Sequence, residues 1–563
     1  MGEYTTARHD RNSVSIAFHG TAGQNATTMA FHLGKPILAM MIMAMLSGAV
    51  ILTRRQQRST DLVVWIFADS HAKSYRDAVE TRLAEVAGAG KRRLAVASAG
   101  GFRVGDRIEI DGGSVSEAGV LAWVSADAAK PWLELKEVLK SAHAKEAVVR
   151  VPSLLELHQR QTGLSSQINV ISTRALDVRL ISLFNSRSRD VPDLVEVEIG
   201  SVGKYFRPPL DEVGFLPLNK FVDRDGILDQ MVRTRFAPWS KQGVIFGMPH
   251  DLHPVTITYR KDLFDEAGIN IASAKTWDEF QDLCLRFQEY WRRRGGSERR
   301  GARYAIELPQ AASDYLVTML LQRRINIIDD YNRVHLNHPK VADTLVHYAQ
   351  MVAGPRRIAA DATPGGDLWA RDLARGDLCA TITPDWRAGF LYVRAADIAG
   401  KVAMMPLPKF EAEDAPTSTW GGTMMGIPRT ARDPEASWAL LKRLYMSAES
   451  LNARQRINKI LPPVREQWKD PVFHQGDPFF GGQKVDELYI ELAEQIPPRY
   501  VTPLTPVGSQ SLALVLADAV AYVRNHATEP REKLEAGLRG ACQKWLDREA
   551  EDLRKRIDFG RFE

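Results

Sequence analysis

Apolar and polar positions along this chain fall into blocks, and the period of the pattern changes from block to block. Asp61 to Phe67 (DLVVWIF) is a short, nearly continuous apolar run, as a strand buried on both faces requires. Ala72, Ala78, Val79, Leu83 and Val86 follow at helical spacing, which predicts a helix over 72–86 and a βα opening. From about Gly88 to Val151 the texture shifts to short strand-like runs, GFRVGDRIEID, GVLAWVSAD, WLELKEVL and AVVRV, separated by Gly, Asp and Lys turns. These predict a small all-β module of barrel type at 88–151. It interrupts an α/β unit that resumes with a helix at Leu154–Thr162 and a strand at Ile168–Ser172. An insertion of this kind is tolerated where its two ends lie close together.

The remainder keeps alternating. Strands are predicted at 194–199, 244–248, 255–259, 379–383 and 423–427, and helices at 276–291, 314–323, 340–351, 434–446 and 509–525. Thr276 and Glu279 are spaced as the two halves of a capping box. The tail, 531–556, predicts a charged amphipathic helix packed on the body.

The head of the chain is different. Ile37 to Leu52 (ILAMMIMAMLSGAVIL) carries no charge and is flanked by Lys35 and by Arg54-Arg55, a length that suits a signal-peptide core or a short membrane anchor. Ser47 and Ala49 have the small-residue spacing of a cleavage site, and Met29 would serve as an alternative start. Export, with residues 1–58 as a polar head bearing a signal or anchor at 37–52, is the expectation. Against it, the arginines follow the apolar run, whereas the positive-inside rule places them before it.

Charge and cysteine content exclude several classes. The formal net charge is +5, but most of it sits in 1–58, where Arg8, Arg11, Lys35, Arg54, Arg55 and Arg58 face only Glu3 and Asp10. The body is balanced, so no nucleic-acid surface is implied. Cys284, Cys379 and Cys542 are far apart, which fits buried single thiols better than a disulfide framework or a CxxC metal site. No HExxH, GxSxG or Rossmann glycine fingerprint occurs. Gly88-Ala89-Gly90-Lys91 fails as a phosphate loop, because Glu85 stands at the first glycine's place and Arg92 at that of the Ser/Thr.

The order of short motifs is more specific than any of them alone. Pro192-Asp193-Leu194-Val195 leads to Gly214-Phe215-Leu216-Pro217-Leu218, then Gly247-Met248-Pro249 and Tyr259-Arg260-Lys261-Asp262-Leu263-Phe264. Thr276-Trp277-Asp278-Glu279, Gly376-Asp377-Leu378 with Trp386, Met405-Pro406-Leu407-Pro408, Gly421-Gly422 and Ala436-Ser437-Trp438 follow. This order resembles the extracellular solute-binding proteins of family 1, sugar receptors of ABC importers. The resemblance covers about 61–87 and 153–464; the β-module is no part of the family's fold, and no lipoprotein cysteine follows the apolar run.

The resemblance implies a two-lobed α/β periplasmic-binding-protein fold with a hinge, the ligand lying in the inter-lobe cleft. The first lobe would comprise 61–87, 152–257 and 423–447, the second 258–422 and 448–563, with crossings near Val255–Tyr259 and Thr423–Ile427. It further implies a non-catalytic monomer that takes a carbohydrate, delivers it to permease subunits and needs no metal or cofactor. Sugars offer apolar faces and a hydroxyl rim, so the site needs aromatic platforms and polar rim groups. Trp386 and Trp420 are the expected platforms, beside Gly421 and Gly422. Asp69, Ser70, Glu196, Glu198, His250 and Asp251 are the expected rim residues, with His71 and His253 nearby. A metal at His250-Asp251-His253 would need a further ligand that nothing in the sequence nominates. Two other readings stay open. A peptide or polyamine receptor of the same fold would need acidic cleft walls. A glycoside hydrolase would need two carboxylates facing across the cleft.

Overall fold

A computed structural model describes residues 60–112, 115–125, 127–294, 303–361 and 367–560. The apolar run at 37–52, and with it the expected signal or anchor, lies outside the described residues.

The first lobe is built on a five-stranded sheet. Its order is Met248–Pro249, Thr423–Gly426, Leu194–Glu198, Leu62–Ile66, Ser166–Val170. Leu62–Ile66 runs parallel to both Ser166–Val170 and Leu194–Glu198, and its burial on both faces accounts for its unbroken apolar sequence. Thr423–Gly426 returns from far along the chain to lie antiparallel against Leu194–Glu198. The second lobe has Val255–Tyr259 at the centre of a three-stranded sheet, antiparallel to Ala380–Pro384 and Ala403–Pro406. Helices Trp277–Arg294, Pro339–Val352, Thr505–Asn525 and Arg531–Asp558 share its apolar core. The capping box forms: Thr276 Oγ1 accepts from the Glu279 amide at 3.2 Å, and Glu279 Oε2 accepts from the Thr276 amide at 3.2 Å. The tail helix buries Leu534, Leu538, Cys542, Leu546 and Leu553 in that core, and all three cysteines are buried free thiols.

Three placements differ from the sequence expectation. The helix expected over 72–86 stops at Arg76 as Asp69–Arg76, and Val79–Arg82 is a strand of the β-module. Val79-Glu80-Thr81-Arg82-Leu83 alternates apolar and polar, and that period of two wins over the sparse helical spacing. The module therefore starts at Val79, not at 88. Val255–Tyr259, expected at a crossing, lies wholly within the second lobe. The crossing is made just before it, where Pro254 pairs with Thr419. Helix Ala448–Asn458, expected in the second lobe, packs on helix Asp69–Arg76, and Leu451 lies in the first lobe's core. The chain beyond it follows the boundary, with Leu461 in a second-lobe cluster and Val464 in the first-lobe core.

The module's sheet has six antiparallel strands in the order Val79–Arg82, Val148–Val151, Arg107–Asp111, Ser116–Val124, Trp132–Leu135, Arg93–Ala95. Leu83 pairs with Val96, which joins the first strand's end to the last and closes the sheet into a barrel without free edges. Leu83, Leu94, Ile108, Ile110, Leu121, Leu133 and Val149 fill it. Its two ends are register partners, Val79 opposite Val151. Antiparallel partners stand only about 5 Å apart, so a short Gly-Ser linker in place of 79–151 should leave the two-lobed body folded. Far-ultraviolet circular dichroism should then keep its helical signal, with one cooperative melting transition.

Candidate functional site

A cleft of about 760 Å³ opens between the lobes, lined by the ends of the first-lobe strands, the crossing segments and a wall of rings from the second lobe. The first lobe contributes Phe67, Ser70 and His71 after strand Leu62–Ile66, and Glu198 at the end of Leu194–Glu198. Ligands of open α/β sheets are met at this carboxyl edge.

Beneath this edge Glu196 is fully buried. Its carboxylate takes three partners: His71 Nδ1 at 2.9 Å, and the hydroxyls of Tyr75 and Tyr445, each donating at 3.0 Å. Burial opposes its charge, yet His71 and these donors hold its pKa below the usual carboxylate range. His250 stacks on His71 with centroids 4.2 Å apart and planes 26° from parallel. Its ring nitrogens have no hydrogen-bond partner among the described residues, and burial, with His71 and Arg454 nearby, pushes its pKa down to about 3. His71, Glu196 and His250 bring three ligand-type atoms within 4.8 Å of one another. The two rings stand stacked, and Glu196 is already held by His71 and two tyrosine hydroxyls.

The crossings are tied by a second buried group. Asp251 pairs with Arg235 at 2.7 Å, contacts His253 Nε2 at 3.1 Å and accepts the Thr423 amide at 3.0 Å. His253 Nδ1 reaches Asp385 Oδ1 at 2.5 Å, and Asp385 Oδ2 accepts the Leu461 amide at 3.0 Å. Arg235 also donates to Thr419 Oγ1 at 2.8 Å. Burial disfavours the imidazolium, but Asp251 and Asp385 outweigh it and push the His253 pKa up to about 9. Asp251 is held well below the usual range: burial opposes its charge, while His253 and Arg235 favour it.

Gly421 and Gly422 adopt φ of +89° and +146°, where other residues are strained. A Cβ on Gly422 would stand 2.5 Å from the Arg235 guanidinium, and one on Gly421 3.0 Å from Trp386 Nε1. Both glycines let the backbone pass close to the charged group and the indole.

The second-lobe wall is headed by Trp386 and Trp420, edge to face with centroids 5.7 Å apart, Trp386 Nε1 donating to the Trp420 carbonyl at 2.8 Å. Both are half-buried and line the cleft. Tyr315 meets Trp420 edge-on at 4.8 Å. The buried Arg387, paired with Glu307 at 2.5 Å, lies 4.5 Å from the Trp369 ring and 5.7 Å from that of Trp420.

Of the residues expected at the site, Trp386, Trp420, Gly421, Gly422, Ser70, Glu198 and Asp251 line the cleft. Three do not. Asp69 is exposed and pairs with Lys73 on its own helix at 2.9 Å. Glu196 and His250 lie beneath the surface, because their side chains point inward from the strand edge. Asp251 lines the cleft, but its carboxylate is engaged by Arg235, His253 and Thr423. Glu198 accepts the Gly200 amide at 3.0 Å, and burial raises its pKa. The sequence reading missed Phe390, Val393 and Lys459. The first two share a helical face with Trp386, a spacing open to detection; Lys459 carries no sequence signal.

His253 sets an expected pH dependence. Its folded pKa of about 9 exceeds the ordinary histidine value of 6.5. Its stabilisation is therefore complete below about 6.5 and is lost as pH rises through about 9. The melting temperature should fall over that window by more than in His253→Asn, read by differential scanning calorimetry at fixed ionic strength.

The family model for bacterial extracellular solute-binding proteins matches residues 187–446. An arabinooligosaccharide-binding protein of Halalkalibacterium halodurans is 24% identical over 362 residues, 62% of this chain and 77% of that protein. A lactose-binding protein of Rhizobium radiobacter is 21% identical over 54% of this chain and 69% of its own length. Among solved structures, the sugar-binding protein MalE of Xanthomonas citri superposes with a TM-score of 0.55 at 18% identity, covering 70% of this chain and 93% of that one. A structure described as an extracellular solute-binding protein of family 1 gives 0.56 at 17% identity, over 71% and 95%. In motif order and in its two-lobed fold, this chain resembles the extracellular solute-binding proteins of family 1.

Proposed function

We propose that this protein is an exported, non-catalytic receptor that binds a carbohydrate in the inter-lobe cleft and delivers it to the permease of an ABC importer. The observation that carries the reading is the pair of half-buried indoles, Trp386 and Trp420, held edge to face in a water-facing cleft. Rings presented this way suit the apolar faces of a sugar, while Ser70, His71 and Thr423 on the opposite side suit its hydroxyls. The names of the relatives, arabinooligosaccharide- and lactose-binding proteins, support the same class. Residues 37–52 as signal or anchor, and action as a monomer, belong to this proposal.

The charge arrangement weighs against the alternatives. A polyamine or cationic peptide would be met by free carboxylates. Among the lining residues, Asp251 is tied up by cations and an amide, while burial disfavours the charged form of Glu198, which accepts the Gly200 amide. A glycoside hydrolase needs one carboxylic acid and one free carboxylate across the bond it cleaves, and Asp251 is not free for either role.

Ligand binding would bridge the two lobes and bias an open–closed equilibrium about the crossings. Calorimetric titration with arabinose, galactose and glucose and their oligosaccharides should give saturable binding with the sugar recovered intact. Recovery of shortened products would favour the hydrolase. Trp386→Ala should weaken binding by about tenfold or more, as loss of a buried aromatic contact does. Trp420→Ala should also lower the melting temperature, because Tyr315 and the second-lobe core pack on it.

A further inference from the structure

The wall of the inserted barrel parts at one place. Arg107 and Val120 are register partners in adjacent strands, and the Lys136 amide donates to the Val120 carbonyl at 2.8 Å. Their neighbours Ile108, Leu121 and Leu135 fill the barrel, so alternation turns Arg107, Val120 and Lys136 outward as one cross-strand row. Beyond that row strand Trp132–Leu135 ends, whereas its neighbour Ser116–Val124 extends back to Ser116. The two segments are joined again where the Lys140 and Ser141 amides donate to the Glu117 carboxylate at 2.7 and 3.1 Å. Between these ties lies a cavity of about 340 Å³, lined by Arg107, Gly119, Lys136, Val138 and Lys140 among others. Gly119 offers no side chain to fill it, and a Cβ there would stand 2.8 Å from Leu135 Cδ2.

Three cations line this cavity, Arg107, Lys136 and Lys140, and all three are exposed. Elsewhere on the barrel sheet the outward arginines meet carboxylates. Arg93 has Glu134 at 3.8 Å, Arg150 has Glu109 at 3.4 Å, and Arg160 of the following helix also closes on Glu109. None of the three cavity cations has a carboxylate within ion-pair distance among the described residues. Of the two lining acids, Glu117 is engaged by the two amides and lies 3.2 Å from His143 Nε2, which leaves the exposed Glu137 against three cations. The backbone adds to this excess. The Val120 carbonyl faces Lys136, and in an antiparallel strand a residue's N–H points the same way as its C=O. The Val120 and Ala118 N–H groups therefore turn to the cavity side as well.

We infer that this cavity in the inserted barrel is a binding site for a phosphate ester, held by Arg107, Lys136 and Lys140. None of these residues lines the inter-lobe cleft, so the site is separate from the one proposed for the carbohydrate. The donors favour phosphate over carboxylate. A flat carboxylate is filled by the fork of one arginine, whereas phosphate oxygens point in enough directions to take that fork and two ammonium groups together. Long lysine stems let both ammonium groups reach one ion from opposite ends of the gap. Val138, 46% exposed, offers its methyls to the carbon end of the ester. The volume stands at the low end of small-molecule pockets, about 300–1,000 Å³, so the occupant is a small ester or a lipid headgroup and not a long chain.

The test has a soluble arm and a lipid arm, both on the full chain. Calorimetric titration with glycerol phosphate at low ionic strength should show saturable binding with a Kd of about 1 mM or tighter. That affinity should fall as salt is raised. Sedimentation with phosphatidylcholine vesicles, with and without phosphatidylglycerol, shows whether a lipid headgroup is the source: binding that needs phosphatidylglycerol assigns the headgroup, and binding of the soluble probe alone assigns a free ester. In whichever arm binds, Lys136→Gln combined with Lys140→Gln should weaken binding at least about fivefold. Lys130→Gln combined with Lys145→Gln removes the same charge from exposed positions outside the lining and should leave it unchanged. Because all four side chains are exposed, the melting temperature should stay within a few degrees. Absence of binding in both arms, equal losses in the two double variants, or glucuronate binding as tightly as glycerol phosphate overturns the site as assigned. None of these outcomes bears on sugar binding in the cleft, which is titrated separately.

Discussion

One buried group of charges holds the architecture to its function: Asp251 and Asp385 on either side of the His253 imidazolium, with Arg235 on the far side of Asp251. Two anions and two cations cancel, which is what lets so many charges lie away from water. Their hydrogen bonds run to Thr419 and Thr423 on one crossing and to Leu461 on the boundary segment. Removing one partner leaves the others charged and buried, a change that costs about 3–5 kcal/mol in typical cases. The group is therefore a poor place for the chain to bend. Gly421 and Gly422 flank it with positive φ values that only backbone without a Cβ adopts freely.

The same economy shapes the floor. His250 lies beside Asp251, its Nδ1 at 3.4 Å from the carboxylate, yet it stays neutral while His253 takes the charge. The difference is geometric. His253 faces two carboxylates, whereas His250 stacks on His71 with Arg454 nearby, so a second imidazolium would face like charge in a dry site.

The sequence carried the framework to a large extent. The strand Leu62–Ile66 was legible because both faces are buried, the helix from Trp277 because its cap is written in Thr276 and Glu279, and the crossing glycines because they stand in a recognisable order. The failures share a cause, in that periodicity reports a face but not what covers it. At 72–86 a few apolar residues satisfied a helical period, while barrel pairing imposed the shorter one. Glu196 and His250 were correctly placed at the strand edge, but nothing in one chain's order tells an inward side chain from one facing ligand. Asp69 differs: it faces solvent and pairs with Lys73 one turn along its own helix, outside the cleft lining. Phe390 and Val393 were within reach, since their spacing from Trp386 is plain once the helix is drawn.

Each lobe also hides a carboxylate just below its cleft surface and binds it with at least one tyrosine hydroxyl. Under the first lobe, Glu196 is bound by Tyr75 and Tyr445; under the second, Glu307 accepts from Tyr315 and pairs with Arg387. Neither charge is offered to the cleft. Each instead braces a ring that is: Glu196 holds His71, and Glu307 holds Tyr315, which meets Trp420 edge-on at 4.8 Å. A ring held in this way loses little conformational entropy when a ligand stacks on it, so more of the contact energy appears as affinity. These buried charges orient rings, and the cleft surface above them carries aromatic planes beside the polar groups of Ser70, Glu198 and Lys459. The carboxylate of Asp251, by contrast, is already engaged by Arg235, His253 and the Thr423 amide, so the fixed rings rather than that charge are what the cleft presents.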